Sequence, residues 1–530
     1  MKGPRSPYRA SAPALAVLPA VAVAAFVLWP LATIFSRALS WDDISRLADN
    51  SAIREVLWFS AWQAVASTVI TLLVAFPATY VLARYQFIGK RMLLALVTIP
   101  FVLPTVVVGA AFLALLPNSL HRSVAAVLIA HTYFNIAVVV RVVGRRWEQI
   151  STLINDAAST LGASPFRIFR TVTLPILATA IRSAAAVIFL LCFTSYGIIR
   201  VLGGPARATL EVEIYTRAIQ LGDLSGAAAL SLFQLVVLGS AMWWWIQTSR
   251  RSAPLTRIQM YATVPHTIQQ RLVVYGISLA TALVIATPLM MVFVRSLSPG
   301  VGMSLDAWRL VLGNHATSLG TQPPLAAFWT SLQFAIATAI MAGVVGLAAA
   351  LAIAYGNRRI GQLEVFVMLP LATSAVTLGL GLLVTFDSGI IDLRSRWIMI
   401  PIAHSLVALP VVVRTLLPVI RSVPQSVRDA SATLGAAPWQ MWMTIDRPLL
   451  ARAWATSLAF AGAISLGEFG ASSFLTRRTS ATLPTEIARL LSRPGDLVQT
   501  QAYVLASLLI IFIAAALIVV DGLRPDRVTV

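Results

Sequence analysis

Hydrophobic residues occur along the chain in runs of about 20, separated by shorter polar and charged segments. A run of this length crosses the apolar core of a bilayer as one α-helix. The run at 12–36 is longer than a signal-peptide core, and we expect it to remain as the first span. The pattern predicts about twelve transmembrane helices, near residues 12–36, 58–82, 92–116, 123–143, 177–200, 226–247, 272–294, 326–355, 364–386, 397–418, 450–473 and 500–520.

The second half of the chain repeats the first at an offset of 273 residues. Residues 154–177 and 427–450 are identical at 10 of 24 positions in this register. The repeat predicts an all-α membrane protein built of two tandem six-span units, 1–255 and 256–530. Because six is an even number, both units have the same orientation, and a pseudo-two-fold axis along the membrane normal relates them. We expect a substrate path between the two units.

Composition and charge support a membrane protein. The chain is 58% hydrophobic and 11% charged, whereas a soluble domain has about 25% charged residues. If the N-terminus is cytoplasmic, most Lys and Arg residues lie in cytoplasmic segments, as the positive-inside rule requires. Membrane phospholipid then balances the net charge of +20, and no nucleic-acid partner is needed. Both termini are predicted to be cytoplasmic.

The strongest part of the repeat lies between the fourth and fifth spans of each unit, in loops at 145–176 and 419–449. Each loop has an acidic residue near the start of a short helix, and a glycine ends that helix. A second short helix with an apolar face follows, and a proline is expected to end it. The residues concerned are Asp156, Ala157, Ala158, Gly162 and Pro175 in the first loop, and Asp429, Ala430, Ser431, Gly435 and Pro448 in the second. Exposed apolar side chains in such a motif suit docking into a groove of another protein. In the alternative, each loop is only a connection that packs against the helices of this protein. The presence of the motif at equivalent positions of both units makes this alternative less favourable.

The sequence Asp-Ala-Ala-x-x-x-Gly resembles the Glu-Ala-Ala-x-x-x-Gly signature of bacterial ABC importer permeases. Asp156 and Asp429 stand where that family usually has Glu, and Ser431 and Arg447 are further departures. The resemblance covers the whole chain as two fused type I permease units. It implies that the loops are coupling helices, which contact two copies of an ATP-binding subunit, and that an extracytoplasmic binding protein delivers the substrate.

The same resemblance implies a multi-pass protein of the bacterial plasma (inner) membrane that is a permease without a cofactor, and not an enzyme. ATP hydrolysis is expected on the separate subunit. In agreement with this division, the chain has no G-x-x-x-x-G-K-S/T phosphate-binding loop.

Fused double permeases resemble the thiamine and ferric-iron importers. The segment around Ser195 and Tyr196 is most similar to permeases for thiamine and thiamine diphosphate. The segment 466–471 is similar to those permeases and also to molybdate and sulfate permeases. The resemblance therefore implies thiamine or its phosphates as the substrate, with ferric iron as the alternative.

Glu468 is the most conspicuous ionisable residue in a predicted span, and we take Glu468, Tyr196 and Ser195 as candidates for the substrate path. A carboxylate inside the membrane is costly and is often functional, and it could meet a cationic substrate. Tyr196 could contact a thiazolium ring through a cation–π interaction. In the alternative, Glu468 ends its span and is capped by water or by Ser472 and Ser473.

Other classes of protein fit the sequence less well. A secondary transporter also has twelve spans in two halves, but the repeated loops have no role there. A membrane enzyme would need a nucleophile, a base or a metal, and the spans assemble none of these. One cysteine and five scattered histidines predict no metal site.

Overall fold

The computed structural model describes residues 12–38, 49–204, 207–249, 262–300, 302–313, 323–387, 396–477 and 480–522. Regular secondary structure in these ranges is helical, apart from one isolated bridge between Tyr85 and Thr263. The predicted all-α fold is confirmed. The predicted boundary between the two units, at residues 255 and 256, lies outside the described ranges and stays a prediction.

The first half consists of long helices that alternate with short connecting helices. Its last short helix continues through a π-helical turn, Thr216–Leu221. The bounds are α1 Ala12–Ala38, α2 Ser51–Arg84, α3 Lys90–Val102, α4 Thr105–Leu115, α5 Val124–Glu148, α6 Thr152–Thr160, α7 Pro165–Phe193, α8 Gly197–Leu202, α9 Leu210–Tyr215 and α10 Leu224–Ser249.

The second half repeats this order with one added short helix, α12. Its bounds are α11 Ile268–Ser296, α12 Asp306–Leu312, α13 Pro324–Tyr355, α14 Arg358–Ala372, α15 Ala375–Phe386, α16 Met399–Ser422, α17 Gln425–Thr433, α18 Trp439–Gly467, α19 Gly470–Leu475, α20 Leu483–Leu491 and α21 Asp496–Gly522. The helices α6 and α17 have the same length and begin 273 residues apart, as do α8 and α19. The sequence repeat is therefore also a repeat of backbone structure.

Ten helices of the described ranges are long and apolar enough to cross a membrane, and two bent pairs bring the number to twelve. The predicted spans 92–116 and 364–386 are these pairs and not straight helices. The α3 and α4 axes differ by 104°, and the α14 and α15 axes by 100°. Pro104 has no N–H to donate and favours an extended backbone at Leu103, which has φ −67° and ψ 146°.

The first span of each half packs against the other half. Helix α1 contacts α13 and α15, and α11 contacts α3 and α4. At the centre of the molecule, α4 contacts α20 and α15 contacts α9. We refer to this contact of α4, α8 and α9 with α15, α19 and α20 as the seam. The seam lies where the substrate path was predicted, between the two halves.

Candidate functional site

The two repeated loops have the same backbone turn. Gly162 follows helix α6 with φ +80°, and Gly435 follows α17 with φ +83°. After each glycine, the next amide donates to a carbonyl five residues earlier: Ala163 to Ala158 at 3.1 Å, and the equivalent amide to Ser431 at 3.1 Å. This is the helix ending that glycine favours, because a left-handed backbone is strained for residues with a Cβ.

Both loops expose large apolar side chains. Leu161 and Leu434 occupy equivalent positions and are each 88% exposed. Phe166 in the first loop and Trp439 in the second are also exposed and equivalent. Apolar groups that are repeatedly exposed at matching positions indicate an interaction surface.

The acidic residues of the two loops lie on these short helices, but with different exposure. Asp156 and Ala157 are exposed, as is Ala430, whereas Ala158, Asp429 and Ser431 are half-buried. Asp156 and Asp429 occupy the same position in their helices. The two loops are therefore alike in backbone and differ in how their side chains are held.

The prolines after the loops do not stop a helix, in contrast to the sequence-based expectation. Pro175 and Pro448 lie inside the continuous helices α7 and α18. Each follows a π-helical turn, Phe169–Thr173 or Trp442–Asp446. A π-turn changes the hydrogen-bond pattern locally, which accommodates a residue without an N–H. The second loop helix and the next span therefore form one mechanical unit.

A buried ion pair holds the second loop and has no counterpart in the first. Arg428 Nη2 lies 2.7 Å from Asp446 Oδ1 and donates to the Tyr355 hydroxyl at 2.8 Å. Arg428 and Asp446 are almost fully buried. Asn155 and Thr173 occupy the equivalent positions in the first loop. This pair was not identified from the sequence, although the repeat replaces two uncharged residues of the first loop by residues of opposite charge in the second.

Two equivalent histidines anchor the ends of α7 and α18. His131 contacts Ser195 Oγ at 2.8 Å through Nε2 and Ser67 Oγ at 3.2 Å through Nδ1. His404 contacts Ser465 Oγ at 2.7 Å and Ser472 Oγ at 2.8 Å. These serines satisfy the buried imidazoles. Ser195 is therefore a partner of a histidine in the seam.

Glu468 is 7% exposed and occupies the position of Ser195 in the second half. Its Oε1 accepts a hydrogen bond from the Ala471 amide, and its Oε2 accepts one from the Ser472 amide, both at 3.0 Å. His404 Nε2 lies 3.3 Å from the same Oε2. The carboxylate thus binds the first amides of α19, and both of its oxygens have partners.

Aromatic rings from both halves meet in the seam. The ring of Tyr196 lies 4.9 Å from that of Phe469, centroid to centroid, and the two residues are equivalent in the repeat. Tyr215 contacts Tyr196 at 5.6 Å and Phe474 at 5.4 Å. Tyr196 and Phe469 are each 5% exposed. These rings pack together at the contact between the two halves.

A second buried carboxylate, Glu211 in α9, was not identified from the sequence. It is fully buried, and its Oε1 accepts a hydrogen bond from Gln234 Nε2 at 2.5 Å. Sequence comparison of the halves drew attention to Glu213, which matches Glu486, and not to Glu211, which aligns with Pro484. The usable signal was that Glu213 has a counterpart in the second half, whereas Glu211 has none.

Comparison with known proteins agrees with this architecture. Residues 342–525 match the model of the family described as "Binding-protein-dependent transport system inner membrane component". The chain is 28% identical over 497 residues to the thiamine transport system permease protein ThiP of Escherichia coli (strain K12). The aligned region covers 88% of this chain and 87% of that protein.

Two further relatives cover similar shares of the chain. The thiamine transport system permease protein ThiP of Salmonella typhimurium is 27% identical over 500 residues, with 89% of this chain and 88% of that protein covered. The probable ABC transporter permease protein y4fN of Sinorhizobium fredii is 24% identical over 550 residues, with 96% and 95% covered. The similarity extends across both halves.

Proposed function

We propose that this chain belongs to the binding-protein-dependent transport permeases and forms the membrane path of an ABC importer for thiamine or its phosphates. The path runs through the seam between the two halves. The observation that carries the proposal is the pair of equivalent loop helices, α6 and α17, on a chain similar to ThiP permeases over most of its length.

The two loops couple the permease to two copies of an ATP-binding subunit. Leu161 and Leu434 are exposed at equivalent positions, and a groove on a partner would remove both from water, which is favourable for apolar surface. Because α7 and α18 each include the second short helix of the loop before them, a push on each loop moves the far end of the span, which lies next to Tyr196 or Phe469 in the chain. ATP-driven closure of the partner dimer would therefore alter the seam.

The substrate reaches the seam from an extracytoplasmic binding protein. With cytoplasmic termini, the loops face the ATP-binding subunits in the cytoplasm and the short helices α8, α9, α19 and α20 lie toward the opposite side. Basic residues near the loops then face the anionic lipid headgroups of the plasma (inner) membrane.

Thiamine is favoured as the substrate because several ThiP permeases are similar to this chain over more than four-fifths of its length. The thiazolium ring has a fixed positive charge. Carboxylates and aromatic rings in the seam provide suitable chemistry for such a cation. Ferric iron is the alternative substrate.

Uptake of radiolabelled thiamine tests the proposal in a bacterium that lacks its own thiamine permease. The chain is expressed with its ATP-binding and binding-protein partners, and a control carries an ATP-binding subunit that cannot hydrolyse ATP. We expect uptake that requires ATP hydrolysis and the binding protein. Uptake of iron in place of thiamine would contradict the substrate, and uptake that depends on an ion gradient but not on ATP hydrolysis would indicate a secondary transporter.

A further inference from the structure

Glu211 is a fully buried carboxylate that is only half satisfied. Gln234 donates to its Oε1, whereas its Oε2 has no hydrogen-bond partner among the described residues. Within the same part of the chain, no Lys, Arg or His forms an ion pair with Glu211. The Oε1 atom of Gln234, also fully buried, lacks a partner as well. Two adjacent acceptors are therefore available to a donor or a cation.

These acceptors lie at the contact between the two halves. Helix α9, which carries Glu211, packs against α15 of the second half. Ser374, next to α15, is close enough to interact with the Glu211 carboxylate. The Ser374 hydroxyl donates to Thr377 Oγ1, at 3.0 Å, and Oε2 of Glu211 accepts no hydrogen bond from the described residues.

The aromatic rings of the seam are close to this carboxylate. The Glu211 carboxylate lies within electrostatic range of the Tyr196 side chain, whose ring lies 4.9 Å from that of Phe469 at a tilt of 33°. Glu211 also interacts with Glu468 from the other half. A cation that enters between the separated rings would meet aromatic faces and the Glu211 carboxylate together, which is a favourable arrangement for an organic cation.

Glu468 and Glu211 differ in what they have left to offer a substrate. Glu468 is held by two backbone amides and lies beside His404. Glu211 has one amide donor from a side chain and a vacant oxygen. A buried carboxylate without a countercharge is destabilising, and proteins keep such groups in membranes mainly for function.

The arrangement exists in the first half alone. The repeat places Pro484 at the position of Glu211 and Ser507 at that of Gln234. A carboxylate required by the shared fold would be expected in both halves. A single carboxylate, present in one half only, suits one substrate molecule with a charge at one end that passes between the halves.

We propose that Glu211, oriented by Gln234, binds the positive charge of the transported substrate when the halves separate at Tyr196 and Phe469. The ligand class is a small organic cation with an aromatic ring. This inference rests on the proposed function, because it assumes that the cargo passes through the seam, and it assigns the charge recognition to Glu211 in place of Glu468.

The substitution Glu211→Gln tests the inference with little risk to folding. The Gln side chain keeps the shape and can still accept from Gln234, while its new N–H₂ can donate to Ser374. It also removes an unpaired buried charge. We expect the thermal midpoint of the purified permease to be equal or higher, and thiamine uptake to fall about tenfold or more.

Two variants accompany it. Glu211→Asp keeps the charge, and we expect it to transport better than Glu211→Gln. Glu213→Gln changes a partly exposed glutamate of the same helix that already pairs with Arg217, at 2.8 Å, and we expect uptake close to wild type.

Wild-type uptake by Glu211→Gln would overturn the inference. An equal loss in Glu211→Asp and Glu211→Gln would also overturn it, because shape and not charge would then matter. The wild-type protein separates this inference from the proposed function: no thiamine uptake by the wild type contradicts the proposed cargo, whereas equal uptake by wild type and Glu211→Gln contradicts the role of Glu211.

Discussion

Arg428 in α17 and Asp446 in the first turns of α18 join these two helices of the second loop. Their 2.7 Å ion pair connects α17 with the π-turn of α18, and Tyr355 at the end of α13 shares the arginine. The first loop has uncharged residues at the corresponding positions. Motion of the second loop should therefore be transmitted to its span more rigidly than motion of the first.

Exchange of the ion pair for the residues of the first loop tests this difference. We expect Asp446→Thr alone to lower the free energy of unfolding by about 3–5 kcal/mol, because it removes one partner of a buried ion pair. The double variant Arg428→Asn/Asp446→Thr removes both charges and should be less destabilised in a thermal unfolding assay. It should also give less transport per ATP hydrolysed. A double variant as unstable as Asp446→Thr, or one with wild-type coupling, would contradict this role.

The glycine turns provide a second test. We expect the double variant Gly162→Pro/Gly435→Pro to insert in the membrane but to lose ATP-dependent uptake, because proline fixes φ near −65° and these residues have φ +80° and +83°. Gly162→Ala should be milder, with a strain of about 1–2 kcal/mol. The control Gly239→Ala lies in α10, with negative φ and no atom near its added Cβ. Full uptake by the double proline variant would contradict the coupling assignment.

Span number, the repeat and the glycine turns could be predicted because each depends on local sequence. The bends between α3 and α4 and between α14 and α15 could not be predicted from local sequence in the same way. Pro104 stands at one bend, but Pro77, Pro288 and Pro410 lie inside helices that continue past them. Whether a proline breaks a span depends on the neighbouring helices that satisfy the freed carbonyl groups.

The polar contacts of the seam were predicted less well, because they depend on tertiary packing. Glu211 is buried where α9 meets α15, which lies more than 150 residues further along the chain. Two positions later, Glu213 is partly exposed and paired with Arg217. No local pattern separates these two glutamates. The repeat could have done so, because Glu213 has a counterpart in the second half and Glu211 has none.

The contacts of Glu468 change what its substitution is expected to do. From the sequence we expect Glu468→Gln to reduce uptake at normal expression and basal ATPase activity. In the structure both oxygens accept hydrogen bonds from amides of α19, and Gln can replace only one of these acceptors. We therefore also expect the free energy of unfolding to fall by about 1 kcal/mol, measured by thermal unfolding. Unchanged stability together with reduced uptake would favour direct contact with the substrate.

The exposed leucines of the loops allow the docking surface to be tested without disturbing the fold. Leu161 and Leu434 are each 88% exposed, so Leu161→Asp/Leu434→Asp should leave thermal stability near wild type. We expect the variant to lose co-purification with the ATP-binding subunit, because charged residues would have to be desolvated in an apolar groove. Leu221→Asp is the matched control, since Leu221 is 68% exposed and lies outside both loops, just before α10. Normal association of the double variant, or equal loss in the control, would contradict docking at these loops.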